Sequence, residues 1–248
     1  MKARTWETIS SERHFANAHL EVVTERVRTP SRSEPRTWTI VHRKAAVIIA
    51  PMTREGKILL IRQERIPIRE AIWEMPSGQI DTVAGSGDPG RSTETIEQVA
   101  SRELREEAGY ELVKDGELIA IGHYFSSPGF TDERGYFFLA RPVQRCKEPP
   151  DRDEAESILD CREFTVEQIR RMIAENEIRD ANTLSLMAGL WARGLLANDD
   201  ERAMRTRLAL PKRFAQNRRD LLSRFRVSFR SACASSHRFW KRGHLSNS

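Results

Sequence analysis

One predicted helix, over residues 94–108, limits the folds open to this chain of 248 residues. Apolar side chains recur four residues apart along it, and they are Ile96, Ala100, Leu104 and Ala108. This spacing puts them on one face, which must pack against another apolar surface. Ser92 or Thr93 can cap the start of the helix, and Gly109 suits the left-handed residue that follows its end.

Strand patterns lie on both sides of this helix. Apolar runs at residues 44–50 and 57–62 flank a turn that contains Gly56, which predicts a β-hairpin. Further strands and helices are predicted by the same criteria, with strands at 37–41, 118–122, 135–140 and 158–164, and helices at 165–176 and 180–196. Strands, a helix between strands and terminal helices together predict an α/β (α+β) sandwich.

The composition excludes several classes of protein. Hydrophobic residues make up 39% and charged residues 31% of the chain, which is too apolar for a disordered chain and too polar for a membrane bundle. The longest apolar runs fall far short of the ~20 residues of a membrane-spanning helix, and no secretory signal is expected from the polar first residues. The three cysteines are widely spaced, which argues against a disulfide framework or a cysteine zinc site. We therefore expect a reducing compartment, the cytoplasm.

Charge is distributed unevenly, which divides the chain into three predicted segments. Residues 201–248 carry thirteen basic and two acidic residues, a net charge of +11 against +5 for the whole chain. This basic tail is predicted to be partly helical or disordered. It could lie on an anionic membrane, bind nucleic acid, remain a solvated extension or dock on the acidic remainder of the chain. Residues 37–200 then form the main domain, and residues 1–36 form an N-terminal segment.

Three acidic residues of the predicted helix indicate a metal site. Glu103, Glu106 and Glu107 stand at positions i, i+3 and i+4, which are neighbours on one helix face. Their charges repel one another, and a divalent cation such as Mg²⁺ between them would both relieve the repulsion and link them to a phosphate. Glu94, nearer the N-terminus of the predicted helix, could orient a metal ligand or Arg102. The alternative is a solvated charged face in which arginines of the helix are the partners.

The spacing over residues 94–110 resembles the signature of the Nudix hydrolase family. Glu94 is followed after seven residues by Arg-Glu-Leu-Arg-Glu-Glu-Ala-Gly-Tyr, which meets every fixed position of this part of the signature. The signature glycine would be Gly78, but fifteen residues instead of five separate it from Glu94. A ten-residue insertion in the glycine-rich loop at 82–91 explains the difference, because loops tolerate added length. The resemblance covers residues 37–196.

Segments outside the signature resemble the ADP-ribose pyrophosphatase branch of that family. They are residues 63–65, 73–78, 127–133, 154–158 and 177–183. This resemblance implies an α/β/α sandwich on a mixed β-sheet, Mg²⁺ or Mn²⁺ as cofactor, and a homodimer to which residues 1–36 contribute. It implies hydrolysis of ADP-ribose or a related nucleoside diphosphate sugar to a nucleoside monophosphate and a sugar phosphate.

The same resemblance implies roles for individual residues. The implied metal ligands are the Ser77 carbonyl, Glu103, Glu106, Glu107 and Glu156. The implied catalytic residues are Glu154 as the base, with Glu107 and Arg102. The implied substrate-binding residues are Arg65, Glu74, Gly78, Gly129 and Phe130. Glu94 is expected to support the metal ligands without touching the metal.

Other interpretations of these residues stay open. Glu154 and Glu156 also fit an acidic surface loop, Arg65 an ordinary ion pair at a strand end, and the segment around Gly129 a plain turn. GDP-mannose or another sugar nucleotide is an alternative substrate. A nucleotide-sensing module with a nucleic-acid-binding tail is the alternative to an enzyme. The acidic helix favours catalysis over sensing, because a pure binding protein has no need for so many carboxylates that repel one another.

Overall fold

A computed structural model describes residues 5–80, 94–149 and 157–196 of the chain. The elements within these ranges are β1 (Glu7–Ala16), β2 (Leu20–Arg28), β3 (Arg36–Arg43), β4 (Ala46–Thr53), β5 (Ile58–Arg65), β6 (Glu70–Glu74), β7 (Ser77–Gln79), α1 (Ile96–Ala108), β8 (Tyr110–Phe125), β9 (Arg134–Arg145), β10 (Ile158–Phe164), α2 (Val166–Ala174) and α3 (Ala181–Ala192). The predicted insertion at 82–91, Glu154, Glu156 and the basic tail lie outside the described residues. No helix in the described ranges is long and apolar enough to cross a membrane.

The larger sheet has seven strands and is mixed. Its order is β10-β5-β4-β9-β8, with β6 paired to β5 and β7 paired to β4. β4 and β9 run parallel, with Ile48 opposite Phe137, whereas the other strand pairs of this sheet are antiparallel. The predicted hairpin is present as β4 and β5, and Gly56 in its turn adopts a left-handed conformation with φ 81°.

Successive side chains of β4 point to opposite faces of this sheet, and helices cover both faces. Ile48 belongs to a buried cluster with Ile169 of α2 and Leu186 of α3. Val47 belongs to a second buried cluster on the other face, with Leu104 of α1. The structure is therefore an α/β/α sandwich on a mixed sheet, which confirms the predicted fold class.

Helix α1 begins later than the sequence predicts. Its N-cap is Thr95, whose hydroxyl accepts a hydrogen bond from Gln98 N at 3.2 Å while Gln98 Oε1 accepts one from Thr95 N at 2.7 Å. This capping box satisfies amides at the helix start, so the prediction of Ser92 or Thr93 as the cap is wrong. The predicted end is confirmed, since Gly109 takes the left-handed conformation with φ 70°.

The two later helices start where the sequence predicts. Thr165 caps α2 and Asp180 caps α3. α3 ends at Ala192, short of the predicted residue 196, and Gly194 just beyond it has a left-handed backbone with φ 65°. The late apolar residues Leu195 and Leu196 still pack on the sheet, although they are no longer helical.

The N-terminal residues form a separate three-stranded antiparallel sheet in the order β1-β2-β3. The sequence predicts only β3 in this region. β1 is exposed along its entire length, and the exposed large side chains include Trp6, Ile9 and Phe15. Val23 of β2 is buried, but its neighbours along the strand are only partly covered. This sheet therefore shields far less apolar surface than the larger sheet does.

Candidate active site

Gly78 lies directly against the side chain of Glu103. It belongs to β7, which pairs with β4 (Val47 opposite Gly78) and packs against α1. A Cβ atom at Gly78 would lie 1.9 Å from Glu103 Cδ, a distance that real Cβ contacts do not show. Glycine is therefore what lets the Glu103 carboxylate, whose residue is only 6% exposed, come this close to the backbone.

Glu107 contacts the residue just before this glycine. Its Oε2 accepts a hydrogen bond from Ser77 N at 2.7 Å, and the residue is only 1% exposed. Glu103 and Glu107 are one helical turn apart, so α1 brings both carboxylates to the Ser77–Gly78 backbone. Burial of two acids is costly unless they are paired, hydrogen-bonded or bound to a metal. The structure thus brings four of the predicted site residues together.

Arg102 links the acids of the helix. Its guanidinium lies 2.9 Å from Glu103 Oε1, 2.6 Å from Glu106 Oε2 and 3.4 Å from Glu94 Oε2. Burial alone would lower the pKa of Arg102, but the charge of Glu103 and the hydrogen bond and charge of Glu106 together raise it. Glu94 stands just before the N-cap and not in the first turn, and its carboxylate is hydrogen-bonded to Arg102 Nε. Arg102 therefore offsets the repulsion among the carboxylates.

Arg65 and Glu74 form a second ion pair, on neighbouring strands β5 and β6. Arg65 Nε donates to Glu74 Oε1 at 2.9 Å and Oε2 at 3.2 Å, and Nη2 donates to Oε2 at 3.0 Å. Burial raises the pKa of Glu74 to about 7, against the opposing effect of Arg65. Burial lowers the pKa of Arg65, but its bond to Glu74 and the charges of Glu74, Glu107 and Asp180 give a net rise. The buried carboxylate therefore fixes the plane of the guanidinium.

The loop that carries Gly129 and Phe130 is held by β3. Trp38 Nε1 donates a hydrogen bond to Gly129 O at 2.7 Å, and Val41 N donates one to Phe130 O at 2.8 Å. A Cβ at Gly129 would meet nothing within 4 Å, and the Phe130 ring is about half exposed. These two residues therefore border open space, and the N-terminal sheet sets their position.

A buried contact from α3 was not predicted. Thr183 Oγ1 donates to Asp180 Oδ2 at 2.7 Å and accepts from Met75 N at 2.8 Å, just before the Ser77–Gly78 backbone. The segment 177–183 resembles the family branch, but the sequence gives no role to either residue. The available signal was an Asp-x-x-Thr pair at a helix start, which indicates a cap and does not reveal a bond to a residue 108 positions away.

The donor atoms around Ser77 suit a hard cation. Carboxylate oxygens and a backbone carbonyl are the ligands that Mg²⁺ prefers. Within residues 5–80, 94–149 and 157–196, no three His, Cys, Asp or Glu side chains are close enough together to form a metal site by themselves. The ligand types therefore suit such a cation, and they are the carboxylates of Glu103 and Glu107 and the Ser77 carbonyl. A further acidic ligand would have to come from another segment. The two predicted for this role or for proton transfer, Glu156 and Glu154, lie outside the described residues.

Comparison with known proteins agrees with this geometry. Residues 41–187 match the NUDIX domain, which is more than half of the chain. The chain therefore belongs to the Nudix family, and it is a Nudix hydrolase.

Several relatives have named activities. The chain is 31% identical over 183 residues to the ADP-ribose pyrophosphatase of Bacillus subtilis, covering 74% of this chain and 91% of that protein. It is 30% identical over 178 residues to the methanol dehydrogenase activator of Bacillus methanolicus, covering 72% and 88%. It is 27% identical over 161 residues to a GDP-mannose pyrophosphatase of Klebsiella pneumoniae, covering 64% and 76%.

A solved structure described as an ADP compounds hydrolase has the same fold. It superposes with a TM-score of 0.61 at 17% sequence identity, covering 79% of this chain and 98% of the solved chain. At this identity the similarity concerns the fold alone. The chain is thus a Nudix hydrolase related to ADP-ribose and GDP-mannose pyrophosphatases.

Proposed function

We propose that this Nudix hydrolase cleaves the diphosphate of ADP-ribose or a related nucleoside diphosphate sugar in the presence of Mg²⁺. The observation that carries the proposal is the burial of Glu103 and Glu107 against the Ser77–Gly78 backbone. Two acids held in this way offer oxygen ligands to a cation that neutralises a diphosphate. The name of the Bacillus subtilis relative favours ADP-ribose as the first substrate to test.

Five groups would hold the metal, and they are the Ser77 carbonyl, Glu103, Glu106, Glu107 and Glu156. A cation bound there, Mg²⁺ or Mn²⁺, supplies charge neutralisation at the phosphates and a lower pKa for a bound water. Glu154 would accept the proton of the attacking water. Arg102 contacts Glu94, Glu103 and Glu106, which favours a role in holding the ligands.

Substrate contacts would come from Arg65, Glu74, Gly78, Gly129 and Phe130. The bonds from Arg65 to Glu74 use Nε and Nη2, so among the described residues Glu74 leaves Nη1 of a fixed guanidinium for a phosphate oxygen. Gly129 and the half-exposed Phe130 would border the sugar or the base. Gly78 would contribute by its closeness to Glu103 and not by a side chain.

The assay is incubation with ADP-ribose and Mg²⁺, with separation of the products. We expect AMP and ribose 5-phosphate, and Glu107→Gln should lower kcat/KM by more than about 100-fold, since partners outside the ligand shell alone cost about 10–100-fold. Glu97→Gln is the matched control, because Glu97 is an exposed acid of the same helix. An active Glu107→Gln enzyme with ordinary Mg²⁺ dependence would refute the proposal.

GDP-mannose is the second candidate substrate, because two relatives are named GDP-mannose pyrophosphatases. The same assay with GDP-mannose compares kcat/KM for the two substrates. Binding of either nucleotide without any product would instead support the sensing module.

The proposal that residues 201–248 bind nucleic acid or an anionic membrane is tested by the salt dependence of binding with and without that tail.

The proposal includes a homodimer and a cytoplasmic location. Trp6, just before β1, and Ile9 and Phe15 of β1 are exposed large apolar side chains, which support self-association because apolar surface commonly marks interfaces. Sedimentation of the full chain over a range of concentrations tests the dimer. The cytoplasm remains a prediction from the cysteine content. Within the described residues, Cys146 and Cys161 are not joined in a disulfide.

A further inference from the structure

Thr183 is a fully buried polar residue in the first turn of α3. Asp180, the cap of this helix, accepts hydrogen bonds at Oδ2 from both Thr183 N and Thr183 Oγ1, each at 2.7 Å. Because the hydroxyl proton goes to Asp180, the hydroxyl oxygen is oriented to accept from Met75 N, at 2.8 Å. A chain of hydrogen bonds thus runs from the start of α3 to the backbone between β6 and β7.

That backbone is fixed at three successive residues by three different elements. Met75 N is bonded to Thr183 of α3, Pro76 O accepts from Ile49 N of β4 at 2.9 Å, and Ser77 N is bonded to Glu107 of α1. The next residue is Gly78, which abuts Glu103. The α3 contact is the first of these three and lies two residues before the carbonyl proposed to bind the metal.

Capping of α3 does not require the Thr183 hydroxyl. The cap bond is the one from Thr183 N to Asp180, which any residue except proline could make at position 183. A buried polar group is unfavourable unless it is hydrogen-bonded, and without the hydroxyl the Met75 N–H would lose its acceptor, Thr183 Oγ1. Met75 is itself only 1% exposed, so water is a poor substitute. The hydroxyl is therefore explained by what it does for the Met75 backbone.

We infer that Asp180 and Thr183 are positioning residues, which hold the Met75–Ser77 backbone so that the Ser77 carbonyl and Glu107 stay aligned for a divalent cation. The inference rests on the proposed metal site. It makes α3, which carries no proposed ligand, part of the metal-binding machinery. Loss of the hydroxyl should weaken metal binding even in the absence of a nucleotide.

The test is titration of the full chain with Mn²⁺, with free Mn²⁺ followed by electron paramagnetic resonance and no substrate present. Thr183→Val keeps the shape of the side chain and removes the hydroxyl. We expect its affinity for Mn²⁺ to be at least about 10-fold lower than that of the wild type. Thr183→Ser keeps the hydroxyl and should restore binding to the wild-type value. The half-saturating Mg²⁺ concentration for hydrolysis should shift in parallel, with little change in substrate KM.

Thr165→Val is the matched control. Thr165 caps α2 and accepts from Gln168 N at 3.1 Å, so this change removes a threonine hydroxyl at the start of another helix but leaves the Met75 backbone untouched. It should lower Tm without changing Mn²⁺ affinity. If Thr183→Val does not fold, Thr183→Cys replaces it, because a thiol is a weaker acceptor of similar size.

The outcomes separate this inference from the proposed function. Unchanged Mn²⁺ affinity in Thr183→Val, or an equal loss in Thr165→Val, overturns the positioning role while the enzyme remains active. A wild-type chain that binds Mn²⁺ but hydrolyses no sugar nucleotide overturns the proposed function, and the loss in Thr183→Val would still support the positioning role. A wild-type chain that binds no Mn²⁺ overturns both.

Discussion

The two sheets of this protein are built from similar strands but bury them differently. β4 of the larger sheet is buried at seven of its eight residues, whereas β1 of the N-terminal sheet is exposed at all ten. Helices cover both faces of the larger sheet, whereas the N-terminal sheet contributes no residue to either buried cluster of the described residues and is hydrogen-bonded through β3 to the loop that carries Gly129 and Phe130. The larger sheet therefore holds the acids of α1 rigidly, while the N-terminal sheet offers a surface and fixes one loop.

The largest expected effect separates the two sheets by stability. Ile49→Ala removes a side chain that is completely buried on β4 and should lower the free energy of unfolding by about 2–5 kcal/mol. Ile9→Ala on β1 should cost less, about 0.5 kcal/mol in the isolated chain, because Ile9 is 41% exposed and lies in no buried cluster of the described residues. Urea unfolding measures both values.

Protein concentration sharpens this comparison. The cost of Ile49→Ala should not depend on concentration, whereas the cost of Ile9→Ala should rise as the proposed dimer forms. Equal costs for the two variants at every concentration would contradict the difference between the sheets.

The second effect concerns the close approach of the backbone to α1. Gly78→Ala should lower the free energy of unfolding by about 1–3 kcal/mol, since the added methyl group collides with Glu103. It should also weaken Mn²⁺ binding, because Glu103 must move away from its position. Gly129→Ala is the control for stability, as its new methyl group meets open space and should leave Tm unchanged. A Gly78→Ala protein with wild-type Tm and metal affinity would show that the contact is not required.

Much of this arrangement follows from the sequence, and the exceptions have physical causes. The apolar run of β4, the four-residue apolar spacing of α1 and its end at Gly109 are local patterns. The structure confirms the apolar face and the end of α1, and it has β4 at Ala46–Thr53 against the predicted 44–50. The Thr95 cap was missed although Thr-x-x-Gln is a capping-box pattern, because Ser92 and Thr93 are equally acceptable caps by composition.

Contacts between distant parts of the chain could not be predicted. β1 and β2 lack a long apolar run, because β1 is exposed throughout and β2 is mostly only partly buried, so a search for buried periodicity passes over them. The bonds from Thr183 to Met75 and from Trp38 to Gly129 join residues that are 108 and 91 positions apart, and only the folded chain brings these partners together.

A third prediction concerns Glu74 and pH. The pKa of Glu74 is raised to about 7 in the fold, so Glu74 gains a proton and releases its charge-assisted bonds with Arg65 as the pH falls through 7. We expect the KM for the sugar nucleotide to rise by about 10-fold on that change, the loss of roughly one charge-assisted hydrogen bond. Glu74→Gln should have the raised KM at every pH.

The raised pKa of Glu74 also determines how the free energy of unfolding changes with pH. Between the unfolded value of 4.5 and about 7, the folded chain holds a proton on Glu74 that the unfolded chain releases. The contribution of Glu74 to stability therefore falls as the pH rises through this window. Glu74→Gln should remove that slope from the pH dependence of the free energy of unfolding, and an unchanged slope would contradict the burial of an ionisable group there.

The smallest expected effect tests the link between the two sheets. Trp38→Phe keeps a ring on β3 but removes the hydrogen bond to Gly129 O, a loss of about 0.5–1.5 kcal/mol. Because that bond fixes a loop and not the metal ligands, KM should rise a few-fold while Mn²⁺ affinity stays unchanged. A loss of Mn²⁺ affinity would mean that the N-terminal sheet supports the metal site as well.

The most direct test of the central claim is a crystal structure of the protein with Mg²⁺ and a non-hydrolysable ADP-ribose analogue. We predict Mg²⁺ bound by Glu103, Glu107 and the Ser77 carbonyl, in contact with the diphosphate. Mg²⁺ at another place, with both carboxylates still bonded only to protein, would contradict the claim.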